Sequence, residues 1–468
     1  MNLRPLAAAL LAASVCHGGP GWFRYRSEHF ELYSDAPESL ARRMLQHFER
    51  TRAFFQKTTD FLPGKPHPVR IVFYGSAEGF ERDTLQRAAA GLFVPGSECD
   101  FILINSAAPD PVATANHEYV HLLELRSGMR LPPWLSEGLA DLYSTLALDG
   151  NSAAVGKLIP HRREILLDSP WTPLREILSA DRPADRHRPH FSSAAFYNQS
   201  WALTHMLALS EKYQPEFATL LKAVAAGRPS VEALETTYRL PLSQIEMDLQ
   251  AYVRGQNFRY ARFDLPLRRI RGARSRDAAP EFELRVMQAD LAGRNGDDAT
   301  ARRLLAELMH QHPERPEPHV VSAYLELLAG RHQQAAAHFR RAFRLGACGA
   351  AALWDMGRLL SPSDPREAAR AFQRLLSRHR ERDDARIELA ALYVNLGHAA
   401  AALETLKPVQ RLGSDEARRY FQVLANAHLA SGNRSAAAEA AARWAALART
   451  DAEKAGAAEI LRLASDDN

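Results

Sequence analysis

A regular spacing of glycines constrains the second half of this chain more than any other feature. Four glycines each stand just before an alanine-containing helical pattern: Gly296, Gly330, Gly397 and Gly432. The first two are 34 residues apart and the last two are 35 apart, and Ser363 or Asp364 fills the missing turn between them. Five residues after each glycine stands an alanine: Ala301, Ala335, Ala402 and Ala437. This periodicity predicts an array of short helix pairs that bury their apolar faces against one another.

The array resembles the tetratricopeptide repeats, whose period is 34 residues. The match is best in LLAGRHQQAAAHFRRAFRLG at 327–346, where Gly330, Ala335, Phe339 and Ala342 fall at the usual offsets of the repeat. We count about five units over residues 281–449, most of them degenerate. The resemblance implies an all-α solenoid that recruits a protein partner or substrate. A coiled coil fits poorly, because glycines interrupt the helices.

The length, composition and charge of the chain limit the kinds of protein it can be. The chain has 468 residues, 46% of them hydrophobic, which suffices for two or three folded domains. The 59 basic residues are nearly balanced by 55 acidic ones, so we expect no nucleic-acid partner. Beyond the amino terminus, no uncharged apolar run reaches the length of a membrane span.

The first residues, MNLRPLAAALLAASVCHGG, are typical of a secretory signal peptide, which we place at 1–19. We therefore expect an exported protein, periplasmic or extracellular. Cys16 leaves a lipoprotein open, and membrane attachment is expected only if that cysteine is lipidated. The two remaining cysteines, Cys99 and Cys348, do not form a disulfide framework or a metal motif.

The first half predicts a small strand-rich layer followed by helices. Alternating or buried apolar runs indicate strands at 22–34, 69–73 and 100–105, with a helix over 37–58 between the first two. Helical patterns follow at 112–127, 134–147, 173–179, 193–210, 215–226 and 241–255. We divide the chain into a domain at 20–263, a linker at 264–280, the repeats at 281–449 and a carboxy-terminal tail at 450–468.

A metal-binding motif stands at the start of the helical part. In His117-Glu118-Tyr119-Val120-His121 the two histidines are one helical turn apart, so both imidazoles can bind one metal ion. Glu118, beside the first histidine, can take a proton from metal-bound water. HExxH alone is a weak signal, since two histidines also occur at this spacing on ordinary surface helices.

A third ligand strengthens the motif. Glu137 follows His121 by sixteen residues, after a glycine stop and a Pro-Pro turn that would fold the next helix back. A catalytic zinc needs three protein ligands and one open position. Asp141, one turn after Glu137, is placed to accept the other N–H of a ligating histidine, His117 in our prediction. The strand at 100–105 precedes the motif directly, which predicts a sheet edge beside the metal, where a peptide could add as a strand.

HEYVH followed by PPWLSEGLADLYS resembles the gluzincin metallopeptidases, and in particular the peptidase MA-like domains of bacterial exported proteins. The resemblance covers residues 22–256, with its specific part at 116–143. It implies an α+β zincin-like catalytic domain followed by the solenoid. It also implies Zn²⁺ bound by His117, His121 and Glu137, with Glu118 as general base and Asp141 as the partner of a ligand.

The family also leads us to expect a hydrogen-bond donor for the developing oxyanion. Our candidate is Tyr197, although a packing role on an amphipathic helix explains this residue equally well. His205 is the second candidate and is more typical of a core histidine. Glu124 lies one turn beyond His121 and is not assigned to the metal. No glycine motif for a free amino terminus is present, so endo- and exopeptidase action both stay open.

The sequence therefore predicts a zinc metallopeptidase that hydrolyses peptide bonds, with the repeats recruiting a partner or substrate. The alternative is an exported tetratricopeptide adaptor with an inactive or structural metal domain. Hydrolysis of a non-peptide amide also stays open.

Overall fold

The computed structural model describes residues 21–59, 68–85, 89–179, 193–266, 272–346, 349–410 and 412–465. The predicted signal peptide at 1–19, with Cys16, lies outside the described residues, as does Cys348. The chain forms two compact units; the first ends at Pro280 and the second begins at Glu281, except that Gly96–Glu98 group with the second. Among the described residues, no helix is long and apolar enough to cross a bilayer.

The first unit contains a six-stranded mixed sheet in the order β4-β5-β3-β2-β1-β9. Its strands are β1 Phe23–Arg26, β2 Glu31–Ser34, β3 Val69–Tyr74, β4 Gly91–Val94, β5 Asp100–Asn105 and β9 Ser275–Ala278. The central pairs β2–β3 and β3–β5 are parallel, and the others are antiparallel. All residues of β5 are buried, which explains its continuous apolar run, because a central parallel strand is covered on both faces.

The single strand predicted at 22–34 is wrong. The structure has the hairpin β1–β2, in which Tyr25 is opposite Leu32. The backbone N–H and the hydroxyl of Ser27 both donate to the carbonyl of Phe30 and close the turn. Both strands keep the two-residue alternation, so the pattern alone did not reveal the reversal.

Ten helices are described in the first unit. They are α1 Glu38–Thr58, α2 Ala77–Thr84, α3 Pro111–Ser127, α4 Pro133–Ser144, α5 Pro160–Asp168, α6 Leu174–Leu178, α7 Ser193–Leu209, α8 Phe217–Ala225, α9 Ser230–Tyr238 and α10 Leu242–Arg254. The helices predicted from periodicity agree with these to within a few residues. The short helices α2, α5 and α9, of eight or nine residues, were not predicted.

A second, three-stranded sheet consists of β6 Ala147–Asp149, β7 Ser152–Val155 and β8 Ala261–Asp264. The predicted linker at 264–280 is also wrong in part. Its last residues form β9, which pairs with β1 and places Arg26 opposite Ser275. The Arg-rich composition concealed this strand, whose side chains stay largely exposed at the sheet edge.

The second unit is all-α, as predicted. Its described helices are α11 Glu281–Arg294, α12 Asp298–Gln311, α13 Glu317–Leu328, α14 His332–Arg344, α15 Ala350–Leu360, α16 Pro365–Arg378, α17 Asp383–Asn395, α18 Ala399–Leu406, α19 Ser414–Ala430, α20 Arg434–Leu447 and α21 Asp451–Ser465. They pack as five consecutive pairs followed by α21, in agreement with about five repeats.

The repeat glycines have a specific conformational role. Gly296, Gly330, Gly397 and Gly432 all have φ between 73° and 91°, which L side chains rarely adopt. Each ends a helix, and the alanine five residues on is fully buried in the next one. Within the tail predicted at 450–468, residues Asp451–Ser465 form α21, which packs on α20 through the buried Ala457 and Ile460.

Candidate metal centre

Helix α3, which carries His117 and His121, has a capping residue at each end. The carboxylate of Asp110 accepts the backbone N–H groups of Val112 and Ala113, and Pro111 occupies the first turn. Gly128 ends the helix with φ of 71°. Between these ends His117 and His121 lie on one face, one turn apart.

Helix α4 runs back against α3 after the turn at Pro132 and Pro133. Gly138 lets α4 approach α7, since a Cβ there would lie 2.0 Å from the hydroxyl of Thr204 and 2.6 Å from the carbonyl of Ser200. The glycine in the sequence Glu137-Gly138 is therefore a packing requirement. It allows the carboxylate of Glu137 to be held, buried, at a fixed position on α4.

The three sequence-predicted ligands converge. His117 Nε2 and His121 Nε2 are 3.2 Å apart, and Glu137 Oε2 lies 3.5 Å from the first and 3.7 Å from the second. Among the described residues these three form the one group of at least three such side chains that could hold a metal ion. The geometric expectation from the spacing of the motif is met.

The triangle fits a zinc ion. Ligand atoms at about 2.0–2.2 Å from zinc, at tetrahedral angles, lie about 3.3–3.5 Å from one another. The observed separations of 3.2, 3.5 and 3.7 Å have that size. Two imidazoles and one carboxylate are also a donor set that catalytic zinc uses, with the fourth position left for water.

His117 is oriented through its second ring nitrogen. Nδ1 lies 3.2 Å from Asp141 Oδ1, as predicted for Asp141. Arg162 donates to the same oxygen at 2.8 Å and to Asn198 Oδ1 at 3.0 Å. Burial works against the charged ring, but the hydrogen bonds to Asp141 and Glu137 outweigh it and raise the pKa of His117 well above its usual value. A metal ion at this position would compete with a proton for the ring.

His121 has a second set of neighbours. The hydroxyl of Ser136 lies 3.4 Å from His121 Nδ1 and donates to Glu124 Oε2 at 2.5 Å. Glu124 Oε2 itself lies 3.9 Å from Nδ1. Glu124 thus contacts the outer side of the imidazole and not the ligand triangle, in agreement with its exclusion from the ligand set.

Asn116, next to His117, links α3 by hydrogen bonds to α1 and to the end of α4. Its Oδ1 accepts from His47 Nε2 on α1 at 2.8 Å, and its Nδ2 donates to the carbonyls of Ser144 and Leu146 at 3.3 and 3.2 Å. The side chain is completely buried. Asn116 therefore fixes α3 relative to the end of α4.

Glu118 faces the edge of the large sheet. Its Oε2 accepts the backbone N–H of Phe93 at 2.7 Å. Gly91 permits this approach, because a Cβ there would lie 2.4 Å from Thr114 Cγ2 and 3.3 Å from Glu118 Cγ. The edge predicted at 100–105 is wrong: β5 is paired on both sides, and the edge strand is β4, which is too short to be recognised from four residues.

Part of the site borders an open cleft of about 1040 Å³. His117, Glu118, Asp141 and Arg162 line one part of it, and the chain before α5 lines another. The proposed base and the guanidinium are thus accessible to a ligand of peptide size. Arg162 and Asn198 were not predicted as site residues, because they lie far from the motif in α5 and α7 and belong to no recognisable metal-site pattern.

Tyr197 lies in α7, half-buried, with its ring centroid 5.7 Å from that of Phe196. It packs against the main core and is not among the described residues that line the cleft. Its role as an oxyanion donor stays a prediction.

His205 is a core residue. It is completely buried, its Nδ1 pairs with the hydroxyl of Tyr252 at 2.7 Å, and its Nε2 pairs with the carbonyl of Gly156 at 2.8 Å. Burial lowers the pKa of His205 to about 4. These contacts explain the residue as a buried bridge between α7, α10 and the loop after β7.

The buried His205 predicts a stability change with pH. As pH falls from 6.5 to about 4, the unfolded chain takes up a proton at this residue and the folded chain does not. The free energy of unfolding should therefore fall by about 3 kcal/mol over this window. In metal-free protein, urea unfolding followed by tryptophan fluorescence should show a flatter pH dependence for His205→Gln. Identical pH dependence in both proteins would exclude this contribution.

Asp141 gives a second prediction. Replacing it by alanine removes the acceptor that orients His117, so the affinity for zinc should fall about 10–100-fold. Competition with a chromophoric chelator measures this affinity. Asp168→Ala, at an exposed position on α5, is the control and should bind zinc like the unchanged protein. Equal affinity in Asp141→Ala would show that the carboxylate has no part in metal binding.

Comparison with known proteins finds a family match within part of the second unit. Residues 359–426 match the tetratricopeptide repeat family, so this chain contains tetratricopeptide repeats. No curated protein matches the chain.

Solved structures of repeat proteins resemble part of the chain at low similarity. YrrB, described as a TPR protein with an unusual peptide-binding site, is 15% identical with a TM-score of 0.32, over 37% of this chain and 90% of that one. MamA is 18% identical with a TM-score of 0.29, over 36% and 91%. A tetratricopeptide repeat protein from Parabacteroides merdae ATCC 43184 is 15% identical with a TM-score of 0.28, over 55% and 100%.

Proposed function

We propose that the first unit is a zinc-dependent metallopeptidase of the gluzincin type. One observation carries the proposal: the Nε2 atoms of His117 and His121 and Oε2 of Glu137 lie within 3.2–3.7 Å of one another, beside Glu118 and an open cleft. A metal site that has lost its catalytic activity commonly lacks a ligand, the general base or the carboxylate that orients a ligand. Here all of these residues are retained, which favours an enzyme over an adaptor with an inactive domain.

In the proposed reaction, zinc would lower the pKa of a water in its fourth position towards 7 and polarise the substrate carbonyl. Glu118 accepts the proton of the attacking water and passes it to the leaving amine. Asp141 and Arg162 hold the ring of His117 in place. Tyr197 stays our proposed donor to the oxyanion.

The edge strand supports a peptide as the substrate. Among the described strands, β4 has no neighbour on its outer side, so an extended backbone can pair with it. The outward N–H of Phe93 is bonded to Glu118. A substrate strand that uses this N–H would replace that bond and leave the carboxylate facing the scissile peptide.

The repeats recruit a protein. Tetratricopeptide arrays present extended concave surfaces to their partners. We propose that the second unit binds either a substrate or a regulatory protein for the first.

A peptide-cleavage assay tests the proposal. Full-length protein loaded with zinc is incubated with a peptide library, and new termini are identified by mass spectrometry. Cleavage should stop on chelation and return when zinc is restored. Stoichiometric zinc without any cleavage would instead favour the adaptor with a structural metal domain, or an enzyme that hydrolyses a non-peptide amide.

A further inference from the structure

An apolar cavity of about 210 Å³, partly open to solvent, lies in the first unit, apart from the cleft beside Glu118. Its walls come from α1, α3, α4, α7, α8 and the three-stranded sheet. The described lining residues include Val120, Glu124, Leu139, Ala208 and Ala261, together with other aliphatic and aromatic side chains.

The lining restricts what the cavity can hold. Of these residues Glu124 alone is charged, and its carboxylate accepts the hydroxyl of Ser136. The other side chains are aliphatic or aromatic and offer almost no hydrogen bonds. A water molecule needs two to four polar partners, so water is poorly accommodated. An anion would meet apolar walls and the Glu124 carboxylate.

We propose that this cavity binds an uncharged hydrocarbon group, either a single aromatic ring or a short alkyl chain. An apolar cavity of about 150 Å³ is large enough for benzene. The cavity here is larger, at about 210 Å³. The apolar side chains that line the cavity lack dispersion partners on its inner side, and a hydrocarbon group would supply them.

His117, His121 and Glu137 are not among the described residues that line the cavity, although Glu124 lines it and lies 3.9 Å from His121 Nδ1. Val120 and Leu139 line the cavity, whereas their near neighbours His121 and Glu137 point their ligand atoms at each other. Binding can therefore be measured in full-length metal-free protein with no peptide present. Failure of this proposal and failure of the proposed function are then distinguishable.

The test is isothermal titration calorimetry of metal-free full-length protein with benzene and, separately, with hexanoate. Benzene should bind saturably at one site, and hexanoate should not bind. Ala208→Leu and Ala261→Leu place a larger side chain in the cavity from α7 and from β8, so each should lose benzene binding. Ala218→Leu makes the same substitution on the exposed face of α8 and should keep it.

Three outcomes overturn the proposal. The first is no saturable benzene binding to the unchanged protein. The second is unaltered binding in both variants that fill the cavity. The third is equal binding of hexanoate, which would contradict an uncharged ligand. Two filling variants are used so that poor folding of one leaves a result from the other, and circular dichroism identifies which of them fold.

Discussion

Replacing Glu118 by glutamine is expected to reduce peptide hydrolysis about 10²–10⁴-fold while zinc binding is retained. Glutamine has nearly the same shape as glutamate, and its amide oxygen can still accept the N–H of Phe93, which Glu118 bonds at 2.7 Å. The amide cannot take a proton from water. The loss should therefore fall on kcat, with the metal content measured by elemental analysis unchanged.

The matched control is Asp110→Asn. Asp110 lines the same cleft, but it stands just before α3 and caps the helix, and asparagine caps helices equally well. This variant should keep its activity. If Glu118→Gln were as active as the control, Glu118 would not be the base.

Loss of a ligand should have the second large effect. His121→Ala and Glu137→Ala each leave two of the three converging atoms, and a metal held by two side chains is bound far more weakly. Replacing a group that hydrogen-bonds to a ligand already lowers the affinity for the metal about 10–100-fold. Removal of a ligand itself should therefore lower the affinity for zinc more than about 100-fold. Equilibrium dialysis against buffered zinc measures this change.

Activity should fall with metal content in both variants. His161→Ala is the control for His121→Ala, since His161 also lines the cleft but does not belong to the converging group. It should keep full zinc occupancy. Full occupancy in His121→Ala or Glu137→Ala would remove that residue from the ligand set.

The centre of the site could be predicted because its geometry is local. The two histidines share a face by helix periodicity, and a turn between α3 and α4 brings Glu137 and Asp141 opposite them. Arg162 and Asn198 could not be predicted in this way. They meet Asp141 only through the packing of α5 and α7, and nothing in their neighbouring residues indicates that contact.

For the fold, too, local features could be predicted and contacts between distant segments could not. Long amphipathic helices and repeated glycines were recognisable, since each signal recurs over many residues. Strands β4 and β9 were missed, because each has only four residues and depends on distant partners. The pairing of β9 with β1 joins residues about 250 positions apart, for example Arg26 with Ser275. Such pairings follow from tertiary structure and not from local pattern.

X-ray absorption at the zinc edge tests the central claim most directly. Protein loaded with one equivalent of zinc should show two imidazole nitrogens and one or two oxygens at about 2.0–2.2 Å, with no sulfur. His121→Ala, if any zinc is retained, should show one imidazole fewer. A zinc spectrum without two imidazoles, or protein that takes up no stoichiometric zinc, would contradict the assignment of His117, His121 and Glu137 as a metal centre.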